Sequence, residues 1–303
     1  MFPYPLNVDL LAKLCRFLHG EKLAIESIQN HSYKLLVNQP ELCLAEETES
    51  IHLLLLIRSG HNQWGRRDAI RKLWANDTCW TGLTVRHVFL LGVSSDAKQE
   101  QRILKEALHH KDVIQQDFID DYYNITYKFM LGLRWALAYC PKAEFLFLID
   151  DDFFLNPTSV GSLLRHLHQG IPKYLSFGYL HRHSKVVRGR SKWAVNQTLY
   201  PYSNYPNFVS GGSHFISRHL ALELYVSSRF TQHFPLDDVF TGIMLNKLLR
   251  ATMDMVGVII VYPKSTASLK SNRLLTLHGV VRPSQQRLLW WRFGMKSQCG
   301  SKL

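Results

Sequence analysis

Three consecutive aspartates, Asp150, Asp151 and Asp152, follow the apolar run 145–149. A strand this hydrophobic is typical of a sheet that helices cover on both faces. Three carboxylates at its end repel one another and resist desolvation unless a cation offsets their charge. Mg²⁺ and Mn²⁺ take carboxylate oxygens and commonly hold a phosphate as well. The segment predicts a metal–phosphate site, and a solvated acidic turn is the alternative.

Strand and helix patterns alternate around this motif, which predicts an α/β fold with a mostly parallel sheet flanked by helices. In such sheets ligands bind beyond the carboxyl ends of the strands, where the aspartates lie. Residues 1–48 have weak periodicity and are interpreted as a stem-like lead-in segment, and residues 49–303 as a single domain. The predicted strands are 51–57, 85–91, 113–114, 145–149, 174–180, 191–200 and 255–261, and the predicted helices are 66–74, 97–110, 123–139, 157–168 and 237–249.

The net charge of +12 raises the question of a nucleic-acid partner. Lys and Arg are spread along the chain, and no zinc-finger spacing or nucleic-acid-binding signature occurs, so no nucleic acid is predicted as a partner. The charge suits an anionic small substrate or a surface near anionic lipid. With 46% hydrophobic residues, the chain can form a sizeable core.

The cysteines and the glycosylation sequons indicate the compartment. None of the five cysteines forms a CxxC pair, which argues against a zinc cluster, and the odd count leaves at least one thiol unpaired within the chain. Four N-x-S/T sequons favour a secretory compartment, at Asn30, Asn76, Asn124 and Asn196. No apolar run reaches 18 residues, so either the protein is soluble or a membrane anchor lies upstream.

Several segments, taken in order, resemble the animal β-1,3-glycosyltransferase family, which includes β-1,3-galactosyl- and β-1,3-N-acetylglucosaminyltransferases. The family's Arg-Arg-x-x-Ile-Arg-x-x-Trp helix stands here at 66–74, its D-x-D at 150–152 and its Glu-Asp-Val at 237–239. Two further family segments match 112–128 and 205–217, so the resemblance covers roughly residues 43 to 280.

Within the family, the surroundings of His181 and Trp193 look most like the glycolipid N-acetylglucosaminyltransferases, such as the lactosylceramide enzyme and the insect enzyme Brainiac. Two departures from the family pattern are Ser213, where a further Gly is common, and Leu73, where Thr is usual.

The resemblance implies a GT-A-type, Rossmann-like fold and metal-dependent, inverting transfer from a UDP-sugar. The expected reaction moves N-acetylglucosamine from UDP-GlcNAc in β-1,3 linkage to a glycan or glycolipid acceptor, with Mn²⁺ or Mg²⁺ as cofactor. Transfer of galactose from UDP-Gal and a catalytically inactive family member are the alternatives. The family further implies a type II membrane protein of the Golgi lumen, whose anchor is absent from this chain.

Inversion by a single in-line displacement needs a general base and stabilisation of the leaving diphosphate. By its match to the family aspartate, Asp238 is the expected base. Its neighbour Asp237 is expected to cap the helix that starts there, because Asp is favoured at that position. The two roles are compatible.

For the leaving group, the resemblance implies a metal bound by Asp152, with Asp150 helping through water or the ribose. Side chains alternate along an extended chain, so both point to one side and Asp151 is expected to be a solvated or capping residue. His278 resembles a C-terminal histidine that completes such metal sites, and an ordinary loop histidine is the equally weighted alternative.

Arg66, Arg67 and Arg71 are candidate donor contacts, because guanidinium groups pair with phosphate or a uracil edge. Positions 67 and 71 share a helix face, position 66 does not, and a solvated charged face is the alternative for at least one of the three. Gly211 and Gly212 are expected either to let the backbone approach a sugar ring or to form an ordinary tight turn.

Overall fold

The computed structural model describes residues 8–23, 27–29, 33–44, 50–170, 172–254, 258–259, 274–295 and 299. The elements in chain order are α1 (Leu10–Leu18), β1 (Leu35–Val37), β2 (Ile51–Arg58), α2 (Trp64–Lys72), β3 (Val85–Val93), α3 (Ala97–His110), β4 (Val113–Ile119), α4 (Ile125–Tyr139), β5 (Ala143–Asp150), β6 (Phe153–Leu155), α5 (Pro157–His168), β7 (Ser176–His181), β8 (Phe208–Ser217), α6 (Arg218–Ser228), α7 (Asp237–Lys247), β9 (Met253–Asp254), β10 (Val258–Ile259), β11 (Thr276–His278) and α8 (Pro283–Arg292).

The main sheet contains eight strands in the order β1-β4-β3-β2-β5-β8-β7-β9. Its centre, from β4 to β5, is parallel, whereas β8 is antiparallel to both of its neighbours and β1 is antiparallel to β4. A smaller sheet has the order β10-β11-β6. The prediction of an α/β fold with a mostly parallel sheet flanked by helices is confirmed.

The strand β2 shows why the sheet lies at the centre of the core. Its apolar run is buried on both faces, with Leu54 and Leu56 packed in one hydrophobic cluster and Leu53, Leu55 and Ile57 in the other. Residues of α4, α6 and α7 complete the first cluster, and residues of α2, α3, α5 and α8 complete the second. Alternation along the strand therefore assigns each residue to one helical layer.

The strand register brings the ends of three strands together. Arg58, the last residue of β2, is the partner of Asp150, the last residue of β5. On the other side of β5, Ile149 is the partner of Ser213 in β8. In the smaller sheet His278 pairs with Phe153, just beyond the aspartates. Distant parts of the sequence therefore meet at one edge of the fold.

Two sequence predictions in the second half of the chain are wrong. Residues 191–200 form turns and not a strand, because side chains satisfy the backbone locally: Arg188 donates to the carbonyl oxygens of Val195 and Tyr200, and Asn196 accepts from Thr198 N–H. Gly211 and Gly212 lie inside β8 and not in a tight turn.

Other boundaries move by a few residues, and α6, the long strand β8 and the short strands β1, β6, β9 and β11 were not predicted as elements. Of the predicted strand 255–261, residues 258–259 form β10 and the rest lies outside the described residues, as does the sequon at Asn30.

The lead-in segment contributes to the same core as the rest of the chain. Leu10 and Leu14 of α1 are buried in the first hydrophobic cluster, and β1 extends the main sheet. A disulfide joins Cys43 to Cys140, and a second joins Cys79 to Cys299. Cys15 is unpaired and exposed, which resolves the odd cysteine count. Across the described ranges, no helix is long and apolar enough to span a bilayer.

Candidate active site

An open cavity of ≈ 1180 Å³ lies beyond the carboxyl ends of β2 and β5. The start of α7, the segment after β4 and the end of β11 form its other walls. It therefore occupies the place where ligands of open α/β sheets are expected. Of the predicted site residues, the cavity is lined by Arg66, Asp150, Asp152, Gly211, Gly212, Asp238 and His278.

Asp151 is a buried ion-pair partner and not the solvated or capping residue expected from the sequence. Its side chain accepts from Ser59 Oγ at 2.6 Å and from Arg66 Nη1 at 2.8 Å. Burial raises the pKa of the Asp151 carboxyl, and the bonds from Ser59 and Arg66 oppose that rise. Asp151 thus fixes the strand end and holds Arg66 at the cavity wall.

Asp152 and His278 are in direct contact, with Oδ2 and Nε2 3.3 Å apart. Asp152 Oδ1 is buried and has no hydrogen-bond partner in the described part of the chain. Burial acts to raise the pKa of Asp152, but the hydrogen bond and charge of His278, with Arg66 and Arg58, bring it below its ordinary value. An ionised carboxylate with an unused oxygen beside an imidazole suits a divalent cation.

Asp150 has a different partner, because Arg58 engages it. Arg58 Nε donates to Asp150 Oδ1 at 2.7 Å, and Arg58 Nη1 pairs with Asp237 Oδ2. Burial raises the pKa of Asp150 to about 6; Arg58 opposes the rise, and Asp152 and Asp237 add to it. The described residues contain no group of three His, Cys, Asp or Glu side chains already arranged to hold a metal.

Arg58 was missed at the sequence level, although one signal was available. Two neighbouring apolar strands end in residues of opposite charge, Arg58 and Asp150, at matching positions. The predicted capping role of Asp237 is also wrong, because its carboxylate pairs with Arg58. Leu236 is the N-cap of α7, without a side-chain cap, and the carboxylate of Asp237 is turned toward Arg58.

Asp238 lies in the first turn of α7 and is partly buried at the cavity wall. Its Oδ1 accepts from the N–H of Val239 at 2.8 Å. Burial raises the pKa of Asp238 to about 7, and the charge of Asp237 adds to the rise; the N–H groups of Val239 and Gly211 and the charge of Arg58 oppose it. A carboxyl group with a pKa near the working pH is matched to proton abstraction.

The two glycines of β8 accommodate side chains of the site. A Cβ on Gly211 would lie 2.7 Å from Asp237 Oδ2. A Cβ on Gly212 would lie 2.6 Å from the ring of Phe153 and 3.1 Å from Asp150 Oδ2. Any larger residue would therefore displace the carboxylates. A backbone approach to a sugar ring at these glycines stays a prediction.

The structure brings one of the three candidate arginines to the cavity. Arg66 lines it, whereas the side chain of Arg67 is fully buried and pairs with Glu106 at 2.7 Å. Arg71 pairs with the same Glu106 at 2.8 Å and with Asp112 at 2.6 Å. The shared helix face of positions 67 and 71 is confirmed. Neither side chain is solvated, and neither lines the cavity, because carboxylates of the protein occupy both guanidinium groups.

Tyr122, Lys192 and Trp193 form an aromatic and basic part of the cavity lining. Lys192 Nζ lies 5.2 Å from the ring centre of Tyr122 and 4.8 Å from that of Trp193. Trp193 is 52% exposed, so its ring is presented to solvent at the cavity. The distances are those of cation–π contacts, which hold the two rings in one arrangement.

Residues 65–255 match the galactosyltransferase family. The chain is 34% identical over 222 residues to beta-1,3-galactosyltransferase 1 of Homo sapiens, covering 73% of this chain and 67% of that protein. It is 35% identical over 230 residues to lactosylceramide 1,3-N-acetyl-beta-D-glucosaminyltransferase of Mus musculus, covering 73% of this chain and 60% of that protein. The chain thus spans about two thirds or less of these relatives.

Among solved structures, a galactosyltransferase in complex with donor and acceptor sugar analogues superposes with a TM-score of 0.40 at 10% identity. The superposition covers 82% of this chain and 95% of that one. The fold assignment is based on the two sheets and the helices that flank them, as described above.

Proposed function

This chain belongs to the galactosyltransferase family, and from that premise we propose that it moves N-acetylglucosamine from UDP-GlcNAc to a β-1,3 position of a glycan or glycolipid acceptor. The observation that carries the proposal is the position of Asp238. Its carboxylate, with a pKa raised to about 7, lines the same cavity as Asp150 and Asp152. A base and an acidic strand end in one cavity match an inverting transfer from a nucleotide-sugar.

The proton transfer is assigned to Asp238. As the acceptor oxygen attacks the anomeric carbon, the Asp238 carboxylate takes the hydroxyl proton and the bond between the sugar and the diphosphate breaks. One displacement inverts the anomeric configuration, so the α-linked donor gives a β-linked product. No covalent enzyme intermediate is required.

The binding of the leaving diphosphate is assigned to Asp152, His278 and Arg66. Asp152 and His278 would hold Mn²⁺ or Mg²⁺, with Asp150 beside them, and the cation would supply Lewis-acid stabilisation of the diphosphate charge. The fit rests on the buried, unpartnered Oδ1 of Asp152 and its contact with His278. Arg66, held at the wall by Asp151, adds a fixed positive charge for the phosphates.

A second candidate donor is UDP-Gal. The identity to beta-1,3-galactosyltransferase 1 is 34%, against 35% for the lactosylceramide N-acetylglucosaminyltransferase, so sequence identity does not separate the two sugars. GlcNAc is preferred here because of the family likeness around His181 and Trp193, both of which line the cavity.

We place the protein in the Golgi lumen as part of a membrane-anchored enzyme. Two disulfides support an oxidising compartment, since such bonds are rare in the cytosol. The sequons at Asn76, Asn124 and Asn196 are consistent with the same route.

A donor screen tests the function. UDP release would be measured with UDP-GlcNAc, UDP-Gal and UDP-GalNAc, in Mn²⁺ and in EDTA, on β-galactoside and β-mannoside glycolipid acceptors. We expect acceptor-dependent UDP release with UDP-GlcNAc that EDTA abolishes and that Asp238→Asn lowers by roughly 10²–10⁴-fold. Release with UDP-Gal instead would select the second donor. Absence of release with every donor, or equal release by Asp238→Asn, would refute the proposal.

A further inference from the structure

Arg58 is a buried cation that joins two walls of the cavity. It is 4% exposed, and its guanidinium reaches Asp150 at the end of β5 and Asp237 in the first turn of α7. Two different nitrogens make the two contacts, Nε to Asp150 and Nη1 to Asp237. The strand end that faces the donor and the helix that carries the base are therefore tied through one side chain.

The strand β8 holds the other side of this connection. The carboxylate of Asp237 lies against the Cα of Gly211, where an added Cβ would be 2.7 Å away. The backbone N–H of Gly211 also bonds to the neighbouring Asp238. Asp237 is thus held between Arg58 and β8, and both Asp237 and Asp238 line the cavity from the same helical turn.

We propose that Arg58 is a positioning residue: it fixes Asp237 against β8 and so sets where the Asp238 carboxylate stands relative to the donor side of the cavity. The inference rests on the proposed function, because it gives Asp238 the role of base. It assigns to Arg58 no contact with substrate. Its effect reaches the reaction through the first turn of α7.

The chemistry of arginine suits this task. The planar guanidinium offers donors in several fixed directions, so it can bond to two carboxylates that lie on different elements. A lysine ammonium at the same position is a point charge on a flexible stem, and it would keep the charge balance without the fixed geometry. Since misplacement by about 1 Å can cost roughly 10²-fold in rate, a loosened bridge should be visible in kcat.

Arg58→Lys is the first test, with UDP affinity measured by calorimetry in Mn²⁺ beside kcat and thermal stability. We expect kcat to fall about 10²-fold and the Kd for UDP to stay within about threefold. Arg250→Lys is the matched control, because Arg250 makes the same kind of two-nitrogen contact, to Glu223, away from the cavity. It should leave kcat within about twofold of the wild type.

A fall in UDP affinity that parallels the fall in kcat would overturn the proposal, because Arg58 would then bind the donor itself. An unchanged kcat in Arg58→Lys would overturn it as well. The proposed function is tested separately by whether the wild-type chain turns over substrate. The proposal on Arg58 is tested by the ratio of kcat in the variant to kcat in the wild type.

Asp237→Asn provides the second test, should Arg58→Lys fold poorly. It keeps the size of the side chain, leaves the pair of Arg58 with Asp150 and weakens the link to α7. We expect a similar loss of kcat at unchanged UDP affinity. The double variant that combines Arg58→Lys with Asp237→Asn should be no slower than the slower of the two single variants. The shifts in the midpoint of urea unfolding caused by the two single changes should likewise not add up in the double variant. This measurement does not depend on enzymatic activity. Additive effects in both measurements would show that the two residues act independently.

Discussion

Asp237 and Asp238 are adjacent in the chain and have different environments. Both line the cavity, but Asp237 is buried and paired with Arg58, whereas Asp238 is half-buried and accepts a backbone N–H bond. A carboxylate engaged by an arginine is a poor base, because the guanidinium already occupies the oxygen that would accept a proton. The residue whose pKa lies near 7 is therefore the one placed to take a proton.

Asp238→Asn removes the proton acceptor and keeps the size of the side chain. General-base catalysis contributes roughly 10²–10⁴-fold, so kcat should fall by about that range. The Kd for UDP in Mn²⁺ should stay within a few-fold, because the diphosphate is assigned to Asp152, His278 and Arg66 and not to Asp238. Steady-state kinetics and calorimetry measure the two quantities. A kcat close to that of the wild type would exclude Asp238 as the base.

The pH dependence follows from the same group. Asp238 acts as a base when deprotonated, and its pKa is raised to about 7, so kcat/KM should rise with pH through that value and fall on acidification. A pH profile between about pH 5 and 9 measures this limb. In Asp238→Asn the residual activity should lack it. The same limb in both proteins would assign the titration to another group.

Asp152→Asn tests the proposed metal site. The change removes the charge of a carboxylate whose Oδ1 has no described partner, while the volume is kept. We expect loss of turnover and weak Mn²⁺-dependent UDP binding, with little change in the melting temperature without metal. Calorimetry with and without Mn²⁺ supplies the measurement. Wild-type turnover in this variant would contradict the metal assignment.

At the scale of elements, β8 is a strand that side chains of the site approach closely. Its pairing with β5 on one side and β7 on the other fixes its backbone. The carboxylates of Asp150 and Asp237 then lie against Gly212 and Gly211, with no space for a Cβ. The positions of both acids thus depend on a strand that contributes little polar chemistry itself.

Gly211→Ala should therefore reduce stability and activity together. Overpacking of this kind costs about 1–3 kcal/mol, and the Asp237 carboxylate cannot move away without leaving Arg58. Gly65→Ala in α2 is the matched control, because its Cβ would meet Pro283 Cγ at an ordinary 3.5 Å. It should leave stability unchanged or slightly higher. Urea unfolding and kcat of both variants decide the matter, and equal behaviour would contradict the steric argument.

The helix α2 divides its arginines between structure and site. Arg67 and Arg71 hold Glu106, whereas Arg66 reaches the cavity. Arg67→Gln should destabilise the fold by about 3–5 kcal/mol, the range for breaking a buried pair, and leave the Kd for UDP unchanged at temperatures where the variant is folded. Denaturation and calorimetry test this. Weaker UDP binding at unchanged stability would restore Arg67 as a donor contact.

The sequence allowed the apolar centre of the sheet and the bounds of α5 to be predicted. Asn156 accepts from the N–H groups of Thr158 and Ser159, and Pro157 follows it. The start of that helix is therefore determined by residues next to it in the sequence. The partners of Arg67, Asp151 and Arg58 could not be predicted, because each lies on another element. Such pairs depend on strand register and helix packing, which local patterns do not encode.

On the scale of the whole molecule, disulfides tie Cys43, near the N-terminal elements α1 and β1, and Cys299, near the C-terminus, to the central fold. One disulfide joins Cys43 to Cys140, the C-cap of α4, and the other joins Cys79 to Cys299. Loops of 97 and 220 residues are closed by these bonds. Closing long loops lowers the entropy of the unfolded chain, so both bonds should contribute to stability.

Glycosylation is expected on the secreted protein. Asn196 is exposed, whereas Asn124 is partly buried and its side-chain amide donates to the carbonyl of Ile119. With a signal peptide added, expression in a eukaryotic host should give a protein that loses mass on glycosidase treatment. Asn196→Gln should reduce that mass difference. No mass shift in the wild type would leave the secretory assignment without this support.

The unpaired Cys15 has a practical consequence. Four of the five cysteines are consumed in disulfides, and Cys15 is exposed on α1, outside the residues that line the cavity. A maleimide dye or a solid support can thus be attached at one defined position of the unmutated chain. The same thiol is the point at which two copies would cross-link during storage in air, and a Cys15→Ser preparation would stay monomeric on a non-reducing gel.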